Sequence, residues 1–114
     1  MVEGQDAIGK GREGERIMSK EKMEILQTQM METGEALFVY THNGGEVFIA
    51  GDFNEWNPRS HRMNKREGFF QRKLKLTPGT HEYKFIVDGE WQTDPSAAEQ
   101  CPNEFGSMNS VIHV

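Results

Sequence analysis

Two periodicities divide the chain. Between Arg16 and Gly34, in RIMSKEKMEILQTQMMETG, the residues Met23, Leu26 and Met30 recur at helical spacing, with Ile25 beside them. Ser19 is placed to cap a helix, Glu21 falls in the first turn, where the helix dipole favours an anion, and Gly34 is a natural stop. The pattern predicts one amphipathic helix over Ser19–Thr33, within a segment 16–34. Its Met/Leu stripe has three uses open to it: packing on the domain that follows, self-association, or holding a protein partner. Methionine-rich faces adapt to varied surfaces. From Ala36 onward the period becomes two. ALFVYTH and EVFIAG are strand-like runs separated by NGG, which predicts a hairpin. GFFQRKLKL alternates, with Phe70, Arg72 and Leu74 on one side and Gln71, Lys73 and Lys75 on the other. TPG breaks it. In THEYKFIV, Tyr83, Phe85 and Val87 face one way, and Lys84 shares the other face with Glu82 and Ile86. DG turns the chain into EWQ, and MNSVIHV closes it. Short strands at close intervals, with Gly, Pro and Asn between them and no second helical pattern, predict an all-β sandwich or barrel over 35–114.

Residues 1–15, MVEGQDAIGKGREGE, are rich in glycine and charge and predict a flexible leader. GKGREG within it matches the spacing of a dinucleotide-binding loop, but that motif works only after a buried strand, and nothing before Gly9 can form one. The length of 114 residues sets an expectation of one domain with a short appendage. A net charge of −5, spread along the chain, argues against a nucleic-acid partner, which needs a clustered basic face. RSHRMNKR is locally basic and is read as a solvated loop. The single cysteine, Cys101, allows no intrachain disulfide and reads as an incidental loop residue. No stretch resembles a signal peptide or a membrane span, so the expectation is a soluble, cytoplasmic protein with no membrane partner.

Two tryptophans pose the functional question. Trp56 stands in GDFNEWNP and Trp91 in VDGEWQTDP, both crowded with turn-forming and polar residues. Each ring either folds back to cap the core or is presented outward as a platform. Flat aromatics beside Asn54, Glu55, Asn57, Gln92, Thr93 and Asp94 suit a pyranose, whose C–H face stacks on an indole while its hydroxyl rim needs fixed donors and acceptors.

VFIAGDFNEWN, GFFQRKLKLTPGTHEYKFIVDGEWQTDP and FGSMNSVIHV together resemble a carbohydrate-binding module of family 48, the glycogen- and starch-binding type found in the AMP-activated protein kinase β subunit. The resemblance covers roughly Leu37 to Val114. It implies an immunoglobulin-like β-sandwich that binds α-1,4-glucan, such as glycogen, maltooligosaccharide or cyclodextrin, without hydrolysing it. By matched position it makes Trp56 and Trp91 stacking platforms. Lys84 and Asn109 become partners of sugar hydroxyls, and Ser107 a rim residue. Phe105 stands where the kinase-type modules carry a leucine, and either adds a stacking surface or crowds the groove. The chain ends where that module ends, so a kinase complex is not expected. The competing class is a protein-interaction sandwich that has lost sugar binding.

Catalysis is not expected. A glycosidase needs two carboxylates set across the scissile bond. Asp52, Glu55, Asp88, Glu90 and Asp94 are at hand, but they lie in turns and strand ends where carboxylates are solvated or capping. His42, His61, His81 and His113 are scattered, with no zinc-like spacing and no Asp-rich calcium loop, so neither metal nor cofactor is expected.

Overall fold

The computed structural model describes residues 27–114. The expected leader, and the expected helix as far as residue 26, lie outside them. Among the described residues the strands are β1 (Gln29–Glu32), β2 (Glu35–Tyr40), β3 (Val47–Gly51), β4 (Asn64–Arg66), β5 (Phe69–Lys75), β6 (Thr80–Val87), β7 (Glu90–Gln92), β8 (Glu99–Pro102) and β9 (Met108–His113). They form two antiparallel sheets. One runs β1-β2-β5-β4; the other runs β3-β6-β9-β8, with β7 also paired to β6. Tyr83 pairs with both Gly51 and Ser110, and Phe85 with both Ile49 and Gln92. Strands β9 and β7 therefore share one edge of β6, and β3 holds the other.

The period-two pattern explains the core. Ala36, Phe38, Tyr40 and Phe70 from one sheet meet Val47, Ile49, Tyr83, Phe85, Val87 and Ile112 from the other in a single buried cluster. Phe38 meets Tyr83 edge-on at 4.8 Å, and Tyr40 meets Phe85 edge-on at 5.6 Å, the arrangement that aromatic quadrupoles favour. The alternation read in β6 holds, with Tyr83 and Phe85 inside. Leu37, Val39 and Phe69 form a second, smaller cluster on the opposite face of their sheet.

Four local expectations are corrected. The last turn of the expected helix is a strand: Gln29 pairs with Leu37 and Met30 with Ala36. Gly34, at φ 80°, closes a tight hairpin instead of ending a helix. Sheet hydrogen bonding decides here because QMME fits either period. NGG does not make a hairpin, since β2 and β3 belong to different sheets. The Asp88 carboxylate accepts the N–H groups of Gly45 and Glu46 at 2.9–3.1 Å and holds that segment as a crossing between the sheets. The basic stretch is not wholly a loop, because Asn64–Arg66 pairs with Phe69–Gln71. Cys101 lies on β8, opposite Asn109, rather than in a loop.

DG behaves as expected. Asp88 and Gly89, with φ of 51° and 89°, make the left-handed pair that joins β6 to β7. Beyond β7, TDPS makes another turn. Asp94 Oδ1 accepts the Ser96 N–H at 2.8 Å, an Asx turn with Pro95 inside it. Asp94 is wholly buried. Its Oδ1 also accepts the Ser96 hydroxyl at 2.9 Å, and its Oδ2 accepts the Tyr83 hydroxyl at 2.6 Å and the Thr28 hydroxyl. Thr28 Oγ1 in turn accepts the Val39 N–H at 2.9 Å. Burial, and then the neighbouring carboxylate, push the Tyr83 phenol far above its ordinary pKa, so it remains a donor.

Asp94→Asn presents an NH2 group to two of these four donors whichever way the amide turns. A loss of about 2–4 kcal/mol is expected from the uncompensated buried groups. Urea unfolding followed by circular dichroism measures it, and an unchanged midpoint would show that the carboxylate does not carry this load.

Candidate functional site

The tryptophan in GDFNEWNP is explained by what its polar neighbours do. Gly51 ends β3 beneath the Phe53 ring; a Cβ there would lie 2.5 Å from that ring and 2.6 Å from the Glu82 carbonyl. Asp52 Oδ2 accepts the Glu82 N–H at 2.9 Å. Phe53 folds under and packs against the core. Asn54 turns inward: its Oδ1 accepts the Gly51 N–H at 3.0 Å, and its amide donates to the Ile49 carbonyl at 3.1 Å. Gly51 O accepts the N–H groups of both Asn54 and Trp56. The polar side chains are thus spent on the turn itself. Glu55 and Trp56 then adopt φ of 57° and 58°, a left-handed pair that is costly for non-glycine residues. Such strain persists only where the surrounding bonds over-determine the turn, as those of Asn54 and Gly51 do here.

Trp91 reaches the same region from β7. It pairs with Ile86 and so shares the outer face of the sheet with Lys84 and Glu82. Asn109 pairs with Cys101 on β8, one position from the core residue Ser110, and also faces outward. The third contributor is the β8–β9 loop, Asn103–Ser107. Asn103 N–H donates to the Ser107 carbonyl at 2.9 Å, and Gly106 takes φ 83° to close the turn. This geometry leaves Phe105 84% exposed at the tip.

Together these elements enclose an open groove of about 750 Å³ lined by Trp56, Trp91 and Phe105, by Lys84, Ser107 and Asn109, and by Glu82, Asn103, Glu104 and Pro102. All six residues singled out in the sequence line this groove. Neither tryptophan belongs to the core: Trp56 is half-buried and Trp91 is 46% exposed. Lys84 Nζ donates to Ser107 Oγ at 3.1 Å, and Asn109 Nδ2 donates to Glu82 Oε1 at 2.9 Å.

Glu82 and Asn103 were not singled out in the sequence. Glu82 was legible as the neighbour of Lys84 on the same face of an alternating strand. Asn103 was legible as an Asx residue opening a short glycine-containing turn, NEFGS. Conversely, none of the five carboxylates considered for catalysis lines the groove. Asp52, Asp88 and Asp94 are engaged with backbone N–H groups. The Cys101 thiol is raised in pKa, first by burial and then by Glu82 and Glu99, the reverse of an activated nucleophile. Among the described residues no group of three or more His, Cys, Asp and Glu gathers to hold a metal, and no helix is long and apolar enough to cross a membrane.

An open, aromatic-lined groove on the outer face of a β-sandwich defines a ligand-binding module. The chain belongs to the family described as the glycogen recognition site of AMP-activated protein kinase, whose model matches residues 35–114. This is the family 48 carbohydrate-binding type. Among its relatives is 5'-AMP-activated protein kinase subunit beta-2 of Mus musculus, 40% identical over 75 residues, or 66% of this chain and 27% of the relative. Subunit beta-1 of Sus scrofa is 36% identical over 78 residues, 68% of this chain and 62% of the relative. Subunit beta-1 of Rattus norvegicus is 32% identical over 92 residues, 81% of this chain and 33% of the relative. The chain therefore spans less than two thirds of the length of each.

The Trp56 turn is anchored by His81. Its Nδ1 lies 2.7 Å from Asp52 Oδ1 and its Nε2 lies 2.7 Å from the Thr77 carbonyl, so both ring nitrogens face acceptors. Burial opposes the charged ring, but the Thr77 carbonyl and the Asp52 carboxylate together outweigh it, and the pKa is raised. A folded pKa above the unfolded value of about 6.5 gives stability that is complete below that value and is lost as pH rises through the folded pKa. The stability difference between wild type and His81→Gln is therefore expected to shrink as pH rises above about 6.5. Urea midpoints at half-unit steps read it; a difference that widens with pH would contradict the charged assignment.

Proposed function

We propose that this chain is a non-catalytic module that binds α-1,4-glucan of the glycogen or starch type and targets itself, or a protein attached to it, to that polysaccharide. Trp56 and Trp91 stack on the C–H faces of successive glucose units, and Phe105 adds a third apolar surface at the rim. Lys84, Ser107 and Asn109 bond the sugar hydroxyls. The observation that carries this reading is convergence. Six residues, from the turn after β3, from β6, β7 and β9 and from the β8–β9 loop, line one open groove, and they are the aromatic and polar types a curved oligosaccharide needs. Membership of a glycogen recognition family supports it as well. The high exposure of Phe105 favours an added stacking surface over a crowded groove. Asp52, Asp88 and Asp94 are engaged in the turns, and of the two carboxylates that line the groove, Glu82 and Glu104, the first is bonded to Asn109.

Titration with β-cyclodextrin, read by tryptophan fluorescence and calorimetry, tests the proposal. Binding is expected, and Trp91→Ala should weaken it by about 2 kcal/mol, roughly thirtyfold, for the loss of one large stacking face. Trp56→Ala should act in the same direction. Phe105→Ala should weaken binding by a smaller factor. Maltoheptaose incubated with the protein should yield no new reducing ends. Wild-type protein that binds neither β-cyclodextrin nor glycogen would overturn the reading.

A further inference from the structure

We propose that Asn103, its side chain fully engaged within the protein, sets the hydrogen-bond polarity of the site: it makes the Ser107 hydroxyl an obligate donor to the ligand and locks the side-chain amide of Asn109 in one orientation. The inference rests on the glucan-binding reading above and deepens it.

The argument is an inventory of donors and acceptors. A side-chain amide has two N–H donors and two carbonyl lone pairs. Asn103 uses all of them within the protein. Its Oδ1 accepts the N–H groups of Phe105 at 2.9 Å and Ser107 at 3.1 Å. Its Nδ2 donates to Ser107 Oγ at 2.8 Å and to Asn109 Oδ1 at 2.9 Å. Asn103 therefore has nothing left to offer a sugar, although it lines the groove; it is a positioning residue. Its effect passes to its neighbours. Ser107 Oγ accepts from both Asn103 Nδ2 and Lys84 Nζ, which occupies both of its lone pairs. The Ser107 O–H is left as a donor. Asn109 is held at both ends, with Oδ1 facing Asn103 and Nδ2 facing Glu82. One Asn109 N–H remains for the ligand, and Lys84 keeps two. The groove floor thus presents donors to ligand oxygens, with Glu82 as the acceptor among them. The two acceptor bonds of Asn103 separately hold the turn that carries Phe105.

Asn103→Asp separates these two duties. The carboxylate still accepts from Phe105 and Ser107 but cannot donate. The Ser107 hydroxyl should then turn inward to it, and the Asn109 carbonyl should lose its partner. Affinity for β-cyclodextrin, measured by calorimetry, is expected to fall roughly tenfold, while amide exchange at Phe105 and Ser107 stays as in wild type. In a Ser107→Ala/Asn109→Ala background the same substitution should cost less than about twofold, because the groups it acts through are gone. A loss from mere added charge would persist there undiminished and would overturn the proposal, as would wild-type affinity in Asn103→Asp. Without any ligand, Asn103→Asp should shift the Asn109 side-chain amide resonances, and Asn103→Ala should also speed exchange at Phe105 and Ser107. Wild-type protein that fails to bind β-cyclodextrin defeats the glucan reading; unmoved Asn109 resonances in Asn103→Asp defeat this one.

Discussion

A buried carboxylate couples the two sheets. Asp94 accepts from Tyr83 in β6 on one side and from Thr28, which in turn holds Val39 of β2, on the other. Its own N–H donates to Ser110 Oγ in β9 at 2.8 Å. Hydrophobic contact alone lets two sheets slide, because it has no direction. A charge taken out of water tolerates only an arrangement in which its donors are all in place. The Asp94 network therefore converts a packed pair of sheets into one with a fixed relative position. Trp91 stands three residues before this anchor, on the short strand β7, so the aim of one groove aromatic is set from inside the core.

The same division of labour recurs around the groove. Tyr83 and Phe85 pack inward while Glu82 and Lys84, between and beside them, face out. In the turn after β3, Asp52, Phe53 and Asn54 all serve the protein, and only then does the chain release Trp56. In the β8–β9 loop, Asn103 serves the protein and releases Phe105 and Ser107. Two walls of the groove are thus each a polar residue committed to backbone N–H groups, followed within a few positions by a residue aimed at solvent. Such a site is preorganised: the turns are already paid for by internal bonds, so little ordering remains for a ligand to impose.

Much of this was written in local sequence. Alternation with period two is a property of neighbouring side chains, so the inner face of β6 and the outward position of Lys84 were readable without coordinates. The left-handed DG turn was readable because few residue pairs accept that conformation. The six candidate groove residues were readable through a family pattern that keeps their spacing. Composition and spacing alone would have left each tryptophan undecided between core and platform.

What tertiary structure decided is what depends on partners distant in the chain. QMME carries no period strong enough to choose between helix and strand; pairing with Leu37 and Ala36 chose. NGG is a hairpin sequence that lost its hairpin, since Asp88, more than forty residues on, takes the N–H groups of Gly45 and Glu46. Asp94 reads as one more turn residue until the Tyr83 and Thr28 hydroxyls, distant in the chain, join the two local donors of Ser96 around it. The residue types and the strand faces were thus determined by the sequence itself, because steric alternation is local. Sheet membership, the burial of Asp94 and the polarity of the groove floor were decided only in the folded molecule, because hydrogen-bond capacity is settled by which groups the fold places within reach of each donor and acceptor.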